Sequence, residues 1–221
     1  MLKKILSILH PIIKPLYKWY KSKPRDYAYK GVKLKVLPSV FHPGLFYSTK
    51  YLLEYVRNSV EGKNLKVLEL GAGSGMMSVF LAKDNHQVHA SDINQKAIEN
   101  IQLNAELQDV EIEIYQSDLF DDIPSQSFDL ILINPPYYPK NAQNEEEKAW
   151  YCGEDFEFFE KLFEQLPDYI EEKSTVLMVL SEDCDIEKIK NLAQSNQFSF
   201  SEKDSKKIVG EANMIYSIYP N

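Results

Sequence analysis

The chain has 221 residues, of which 44% are hydrophobic and 12% aromatic; this suits one globular domain and excludes disorder throughout. Its net charge of −8 is unevenly distributed. Residues 1–36 carry ten lysines and arginines and one acid, whereas the other 185 residues carry 15 bases and 32 acids. A basic leader therefore precedes an acidic body, an asymmetry typical of an arm that meets nucleic acid, a membrane or an acidic partner.

The cysteines and histidines argue against metal binding and disulfides. Cys152 and Cys184 are too few and too far apart in sequence for a disulfide framework or a zinc site. The four histidines show no paired metal-ligand spacing, so we expect no metal. Two free thiols fit a reducing compartment, which favours the cytoplasm.

The leader places apolar side chains at helical spacing and predicts one or two short amphipathic helices over residues 2–20. Pro11 and Pro15 divide any helix there because each lacks a backbone donor. The start resembles a signal peptide, but His10 and Pro11 interrupt its apolar run, and no small-residue cleavage site follows. We therefore expect neither secretion nor a transmembrane segment. The apolar stripe is either a cover packed on the body or a surface for lipid, RNA or a partner.

Beyond the leader, strands and helices alternate from residue 66 onward, which indicates an α/β sheet with right-handed crossovers. A short link between the last two strands predicts antiparallel pairing. We expect a basic N-terminal extension over 1–48 and the main domain over 49–221. The predicted strands are 30–38, 65–71, 86–92, 110–118, 128–136, 174–181, 198–208 and 213–219, and the predicted helices are 49–58 (capped by Ser48), 75–84, 95–107, 155–170 and 186–195.

A glycine-rich loop with an acid before it follows the first long strand: Glu69, Gly71, Gly73 and Gly75. Glycines here let the turn tighten and let a ligand approach the backbone. A negative side chain two residues before the first glycine would repel a pyrophosphate and attract a cationic ligand. The loop therefore favours S-adenosylmethionine over NAD as the cofactor.

Two aspartates end the next two predicted strands. Asp92 is suited to accept hydrogen bonds from both ribose hydroxyls of a nucleoside. Asp118 is suited to accept from an adenine amino group, with Leu119 or Phe120 against the ring. Because ligands of open α/β sheets bind at the C-terminal ends of the strands, we expect both aspartates to face one crevice.

The most specific motif is Asn134-Pro135-Pro136-Tyr137, at the end of the fourth long strand. The prolines stiffen the loop and leave only carbonyl acceptors. The side-chain carbonyl of Asn134 and the backbone carbonyl of Pro135 are suited to accept both N–H bonds of a planar amino or amide group. This turns the nitrogen lone pair toward a sulfonium methyl, while Tyr137 stacks on the planar group. The motif predicts an N-methyltransferase that needs no strong base.

Residues 65–180 resemble class I S-adenosylmethionine-dependent methyltransferases of the NPPY type, in the small methyltransferase domain group. The resemblance implies a Rossmann-like seven-stranded sheet with an antiparallel last strand. It also implies that Glu69 and the glycines form the cofactor loop, with Asp92 at the ribose, Asp118 at the adenine and residues 134–137 at the acceptor nitrogen. The segments Ser117–Phe120 and Phe128–Pro139 look most like the glutamine N5 methyltransferases of peptide-chain release factors, although Cys152 and Asp155-Phe156 depart from that group's pattern.

Several acceptors remain open, because a glutamine amide and a base amino group both present a planar NH2. An acidic body repels a phosphate backbone, which favours a protein glutamine. The basic leader could supply phosphate contacts, so an RNA or DNA amino group (N6 of adenine or N2 of guanine) is the main alternative. A small-molecule acceptor and a non-catalytic protein that only binds the cofactor are further alternatives. Trp150 and Tyr151 are candidate substrate anchors in the loop after the motif.

Overall fold

The computed structural model describes residues 22–45, 47–145, 147–208 and 211–221, so the predicted helices over 2–20 lie outside the described residues. Its strands are β1 Arg25–Tyr29, β2 Val32–Val36, β3 Lys66–Leu70, β4 Gln87–Asp92, β5 Glu113–Gln116, β6 Leu130–Ile133, β7 Thr175–Ser181, β8 Phe198–Ile208 and β9 Glu211–Pro220. Its α-helices are α1 Ser48–Ser59, α2 Met76–Lys83, α3 Gln95–Gln108, α4 Glu157–Gln165 and α5 Ile186–Ser195.

The central sheet has seven strands in the order β5-β4-β3-β6-β7-β9-β8. Neighbouring pairs from β5 to β7 are parallel, and β9 runs antiparallel to both β7 and β8. The predicted fold class is confirmed, including the antiparallel last strand. All four residues of β6 are buried, as expected of a central parallel strand covered on both faces.

Helices cover both faces of this sheet. On one face, α4 packs its aromatic side chains against the sheet, and Phe159 and Phe163 are fully enclosed. On the other face, α1 and α2 pack with strand β2, and Leu52 and Met77 lie in that second core. Each face therefore buries its own apolar cluster, and the C-terminal ends of the strands stay open between the two helix layers.

Three boundaries differ from prediction for local reasons. Strand β2 is shorter than predicted because Lys30 and Gly31 both have positive φ and turn the chain back onto β1, a strand the sequence did not reveal. Helix α1 begins at Ser48 itself, so the predicted Ser48 cap is wrong; the ring of Tyr47, stacked on Tyr51, occupies the preceding position. The predicted helix over 155–170 ends as a 3-10 turn because Pro167 lacks a backbone donor.

The β1–β2 hairpin is fastened to α3 by two buried asparagines. Asn104 Oδ1 accepts from the backbone N–H of Lys35 at 2.8 Å, and Asn100 Oδ1 accepts from that of Leu37 at 2.7 Å. Both side-chain amides donate back to the Lys35 carbonyl at 2.8 Å. In the described part of the chain, no helix has the length and apolar content that crossing a membrane requires.

Candidate active site

A cavity of about 470 Å³ opens at the C-terminal ends of β3, β4 and β6. The cavity forms there because the C-terminal ends of the parallel strands lie side by side and border one crevice. Among the predicted site residues, the cavity is lined by Glu69, Gly71, Gly73, Asp92, Asp118, Leu119, Asn134, Pro135, Pro136 and Tyr137. The structure places Gly75 elsewhere, and it also places Phe120, the alternative to Leu119 against the adenine ring, in the core, where its ring stacks on that of Tyr169.

The glycine loop forms a cradle for a ligand. Gly71 and Gly73 have φ of +68° and +54°, a region that residues with a side chain rarely adopt. A Cβ on Gly71 would meet nothing within 4 Å and would project into open space. Gly75 instead precedes helix α2, and a Cβ there would lie 3.1 Å from the Ile101 side chain. Gly71 therefore leaves room for a ligand, a Cβ on Gly73 would contact Phe41 at 3.5 Å, and Gly75 lets α2 pack on α3.

Glu69 is 2% exposed, yet its carboxylate belongs to the cavity wall. It accepts hydrogen bonds from the Ser78 backbone N–H at 2.8 Å and from the Ser78 hydroxyl. Burial raises the pKa of Glu69 to about 7, while the bonds from Ser78 and the nearby Asp92 have smaller effects. This carboxyl is therefore poised to gain charge when a cation binds beside it.

Asp92 joins the glycine loop to the next helix. Its Oδ2 accepts from the Gly73 backbone N–H at 2.9 Å, and its Oδ1 accepts from the Asn94 backbone N–H at 2.9 Å. Burial raises the pKa of Asp92, and these two hydrogen bonds oppose the rise. Asn94 in turn caps helix α3. Asp92 therefore both shapes the cradle and presents carboxylate lone pairs to the cavity.

The predicted adenine side contains a lysine that sequence reasoning missed. Lys161 Nζ lies 2.8 Å from Asp118 Oδ2 and 2.6 Å from Asp121 Oδ2. Lys161 reaches over from α4, 43 positions along the chain, so no local pattern indicated it. Leu119 is buried at φ +54° and forms part of the wall. One oxygen of Asp118 is thereby occupied, and among the residues that the structure describes the other has no hydrogen-bond partner.

Asn134 is also held by an unpredicted partner. Its side-chain Nδ2 donates to Thr49 Oγ1 at 3.0 Å, and Thr49 lies in the first turn of α1. Beside it, Tyr137 is half-buried, and its ring lies 4.8 Å from that of Tyr138. Burial raises the pKa of Tyr137, which keeps its hydroxyl protonated at neutral pH.

Two loops roof the cavity. The rings of Phe41 and Trp150 are 5.4 Å apart, which joins the segment before α1 to the loop after β6. The second loop is fastened to the motif, because the Tyr138 N–H donates to the Trp150 carbonyl at 3.1 Å and the Cys152 N–H donates to the Tyr138 carbonyl at 3.0 Å. Trp150 and Tyr151, the predicted anchors, both line the cavity.

The geometry defines a class of protein: an α/β domain whose glycine cradle, buried carboxylates and aromatic cover suit a cationic nucleoside. The methyltransferase small domain family matches residues 31–204. The chain belongs to this family and is an S-adenosylmethionine-dependent methyltransferase, as the resemblance predicted. The residues present fit the cofactor, because the cavity offers space above Gly71 and two carboxyl groups in its wall, the buried Glu69 and the half-buried Asp92.

The chain is similar to proteins that act on different acceptors. It is 35% identical over 158 residues to a protein of Methanocaldococcus jannaschii named as a protein N5-glutamine methyltransferase. This match spans 69% of the chain and 77% of that protein. It is 39% identical over 111 residues to the release factor glutamine methyltransferase of Lactococcus lactis, and this match spans 49% of the chain and 40% of the relative. A solved structure of the Thermus thermophilus 16S rRNA N2 G1207 methyltransferase, in complex with AdoMet and guanosine, shares the fold with a TM-score of 0.65 and 18% identity, covering 89% of this chain and 51% of that one.

Proposed function

We propose that the chain methylates the side-chain amide nitrogen of a glutamine in a protein, using S-adenosylmethionine. The observation that carries this proposal is the placement of Asn134 and Pro135 in the cavity wall of a chain whose relative is named as a protein N5-glutamine methyltransferase. A release factor is the acceptor that the second relative's name suggests. The bound cofactor would supply an electrophilic methyl group.

The residues have separate roles in this proposal. Glu69 faces the positive charges of the cofactor, the glycine cradle admits its methionine part, Asp92 accepts from the ribose, and Asp118 accepts from the adenine beside Leu119.

The acceptor amide is held by the motif. The Asn134 side-chain carbonyl and the Pro135 carbonyl accept its two N–H bonds, and Tyr137 stacks on its plane. Pro136 keeps the loop rigid. The nitrogen lone pair would then be directed at the methyl group, and the charge that develops on nitrogen would meet fixed carbonyl dipoles. As the N–C bond forms, the S–C bond would break to leave a neutral thioether, and one N–H proton, made acidic by the charge on nitrogen, would pass to water.

Charge supports a protein acceptor over a nucleic acid. Residues 37–221 carry 15 bases against 32 acids, and phosphate contacts dominate nucleic-acid affinity. An RNA base amino group is the second candidate, favoured by the guanosine bound in the similar rRNA methyltransferase structure. We place the enzyme in the cytoplasm, where Cys152 and Cys184 stay reduced thiols.

The basic leader is the part most able to reach an anionic partner. Four exposed lysines, at positions 23, 30, 33 and 35, continue its charge into the described hairpin. We propose that it contacts RNA or another anionic surface near the acceptor protein. Removal of residues 1–22 should weaken salt-dependent binding of an RNA oligonucleotide, and unchanged binding would contradict this role.

The proposed function is tested by transfer of labelled methyl groups into a cell extract that is then divided between protease and nuclease. Protease-sensitive label is expected, and nuclease-sensitive label would favour the RNA alternative. The Asn134→Ala variant should bind S-adenosylmethionine with an unchanged dissociation constant and lose transfer. Equal transfer by this variant would refute the role of Asn134.

A further inference from the structure

The two ends of the Asn134 amide are chemically opposite, and their orientation decides what the site can bind. The oxygen accepts hydrogen bonds, whereas the nitrogen only donates. A methyl-accepting nitrogen that brings two N–H bonds needs the Asn134 side-chain oxygen as a hydrogen-bond acceptor. A flipped Asn134 amide would present its own N–H groups to those of the acceptor. The reaction proposed above therefore requires that something fix the direction of this side chain.

Thr49 is the hydrogen-bond partner of the nitrogen end of this amide. Asn134 Nδ2 donates to Thr49 Oγ1 at 3.0 Å, a normal donor–acceptor distance for an N–H···O hydrogen bond. No hydrogen bond to Asn134 Oδ1 forms within the described ranges 22–45, 47–145, 147–208 and 211–221. With its nitrogen facing α1, the amide turns its oxygen away from α1, and both residues line the same cavity.

We propose that Thr49 is a positioning residue that fixes the Asn134 carbonyl oxygen toward the acceptor nitrogen. The proposal rests on the proposed function for the identity of the acceptor group, but the hydrogen bond itself does not. Thr49 does not hold the cofactor or the acceptor in this account. It acts through Asn134 and affects the reaction by giving the amide nitrogen a hydrogen-bond acceptor in the orientation that leaves the oxygen to the acceptor group. The Thr49 hydroxyl would donate to a flipped amide instead, and an acceptor nitrogen that brings two N–H bonds disfavours that orientation.

The fold keeps Thr49 in place. Its side chain is 7% exposed, and it stands at the start of a helix whose face buries Leu52, Leu53 and Val56. Farther along the helix, Glu54 accepts from the Tyr29 hydroxyl and pairs with Lys30 at 3.1 Å. The helix is thus fixed by the sheet core on one side and the hairpin on the other. The oxygen of Thr49 is consequently held in place beside the Asn134 amide.

The test compares three variants of the full chain: Thr49→Val, Thr49→Ser and the matched control Thr175→Val. Thr175 is the other threonine of the chain and begins β7, at the end of that strand opposite to the cavity. The first readout needs no acceptor: the side-chain amide resonances of Asn134 in a ¹⁵N-labelled protein. We expect Thr49→Val to shift or broaden them and Thr49→Ser and Thr175→Val to leave them as in wild type.

The second readout is methyl transfer into the protease-sensitive fraction of the extract. Thr49→Val should lower kcat about 10- to 100-fold, as expected for a misoriented group, while the S-adenosylmethionine dissociation constant stays within about twofold. Thr49→Ser should restore most of kcat. A merely structural role would lower the unfolding midpoint and affect both substitutions alike.

Two results would overturn the proposal. Unchanged Asn134 resonances in Thr49→Val would show that the hydroxyl does not orient the amide. Full kcat in a Thr49→Val protein with altered resonances would show that the orientation does not matter for transfer. If the wild type transfers no methyl group to any acceptor, the proposed function fails while the amide resonances still decide the role of Thr49.

Discussion

Burial of acidic groups beside the cavity couples cofactor binding to protons. Glu69 has its pKa raised to about 7 by burial, so it is largely neutral below that pH and charged above it. A sulfonium and an ammonium group interact more favourably with the charged form. Binding should therefore pull the carboxyl toward ionisation and release part of a proton near neutral pH.

This leads to a prediction about S-adenosylmethionine affinity. Between pH 6 and 7.5 the dissociation constant should fall as pH rises, because ionised Glu69 becomes the dominant form. Calorimetry at pH 7 in buffers of different ionisation enthalpy should detect the released proton. The Glu69→Gln variant keeps the shape but cannot ionise, so its pH dependence and proton release should be smaller. A wild-type slope equal to that of Glu69→Gln would contradict this assignment.

Asp92 performs two tasks with one carboxylate, so its loss should be costly for binding. Asp92→Ala removes the acceptor for the Gly73 N–H and the proposed ribose contact together. We expect the dissociation constant of S-adenosylmethionine to rise at least tenfold, which is equivalent to about 1.4 kcal/mol. Asp84→Ala is the control, because Asp84 pairs with Arg57 next to α2 and does not line the cavity. Equal affinities for the two variants, measured by calorimetry, would sink the proposed role of Asp92.

At the scale of elements, the glycines of the loop serve two purposes: Gly71 borders the cavity, and Gly75 borders the packed side chain of Ile101. Gly71→Ala and Gly75→Ala both place a side chain at positive φ, which costs on the order of 1 kcal/mol. Only Gly75→Ala also presses on Ile101. Urea unfolding should therefore show a larger loss of stability for Gly75→Ala, whereas Gly71→Ala should show the larger loss of cofactor affinity. The opposite ranking in either measurement would contradict this division.

The sequence predicted what local patterns encode and missed what tertiary contacts create. Strand β6 and the cradle follow from an apolar run and glycine spacing, so both were found. Thr49 and Lys161 belong to helices far from the motif residues they contact, and no periodicity marks them. Gly75 shares the spacing of the loop, but only the packing of α2 on α3 shows that it serves the core.

At the scale of the molecule, the hairpin and the sheet domain are linked by polar contacts that must stay satisfied. Asn104 is 0% exposed and bonds to the Lys35 backbone and, at 2.8 Å, to the Ser74 carbonyl beside the cradle. The division between an extension over 1–48 and a domain over 49–221 remains a prediction, but residues of the hairpin already contribute to the packing around the cofactor loop. Stability and the shape of the cavity should therefore depend on each other.

The Asn104→Ala variant measures this link. It leaves the Lys35 N–H without its acceptor and should cost about 1–3 kcal/mol of unfolding free energy. Gln108→Ala is the matched control, because Gln108 also donates to the hairpin backbone, at the Lys33 carbonyl, from an exposed site. Its cost should stay below about 1 kcal/mol. Equal urea midpoints for Asn104→Ala and wild type would show that the Asn104 hydrogen bonds add nothing to the stability of the domain.

The whole account depends on the identity of the methylated atom. The most direct measurement is mass spectrometry of the acceptor protein after incubation with the enzyme and S-adenosylmethionine, with fragmentation that locates the added methyl group. The account predicts N5-methylglutamine with the wild-type chain and none with Asn134→Ala. A methyl group on a nucleic-acid base, or on a protein side chain other than glutamine, would contradict it.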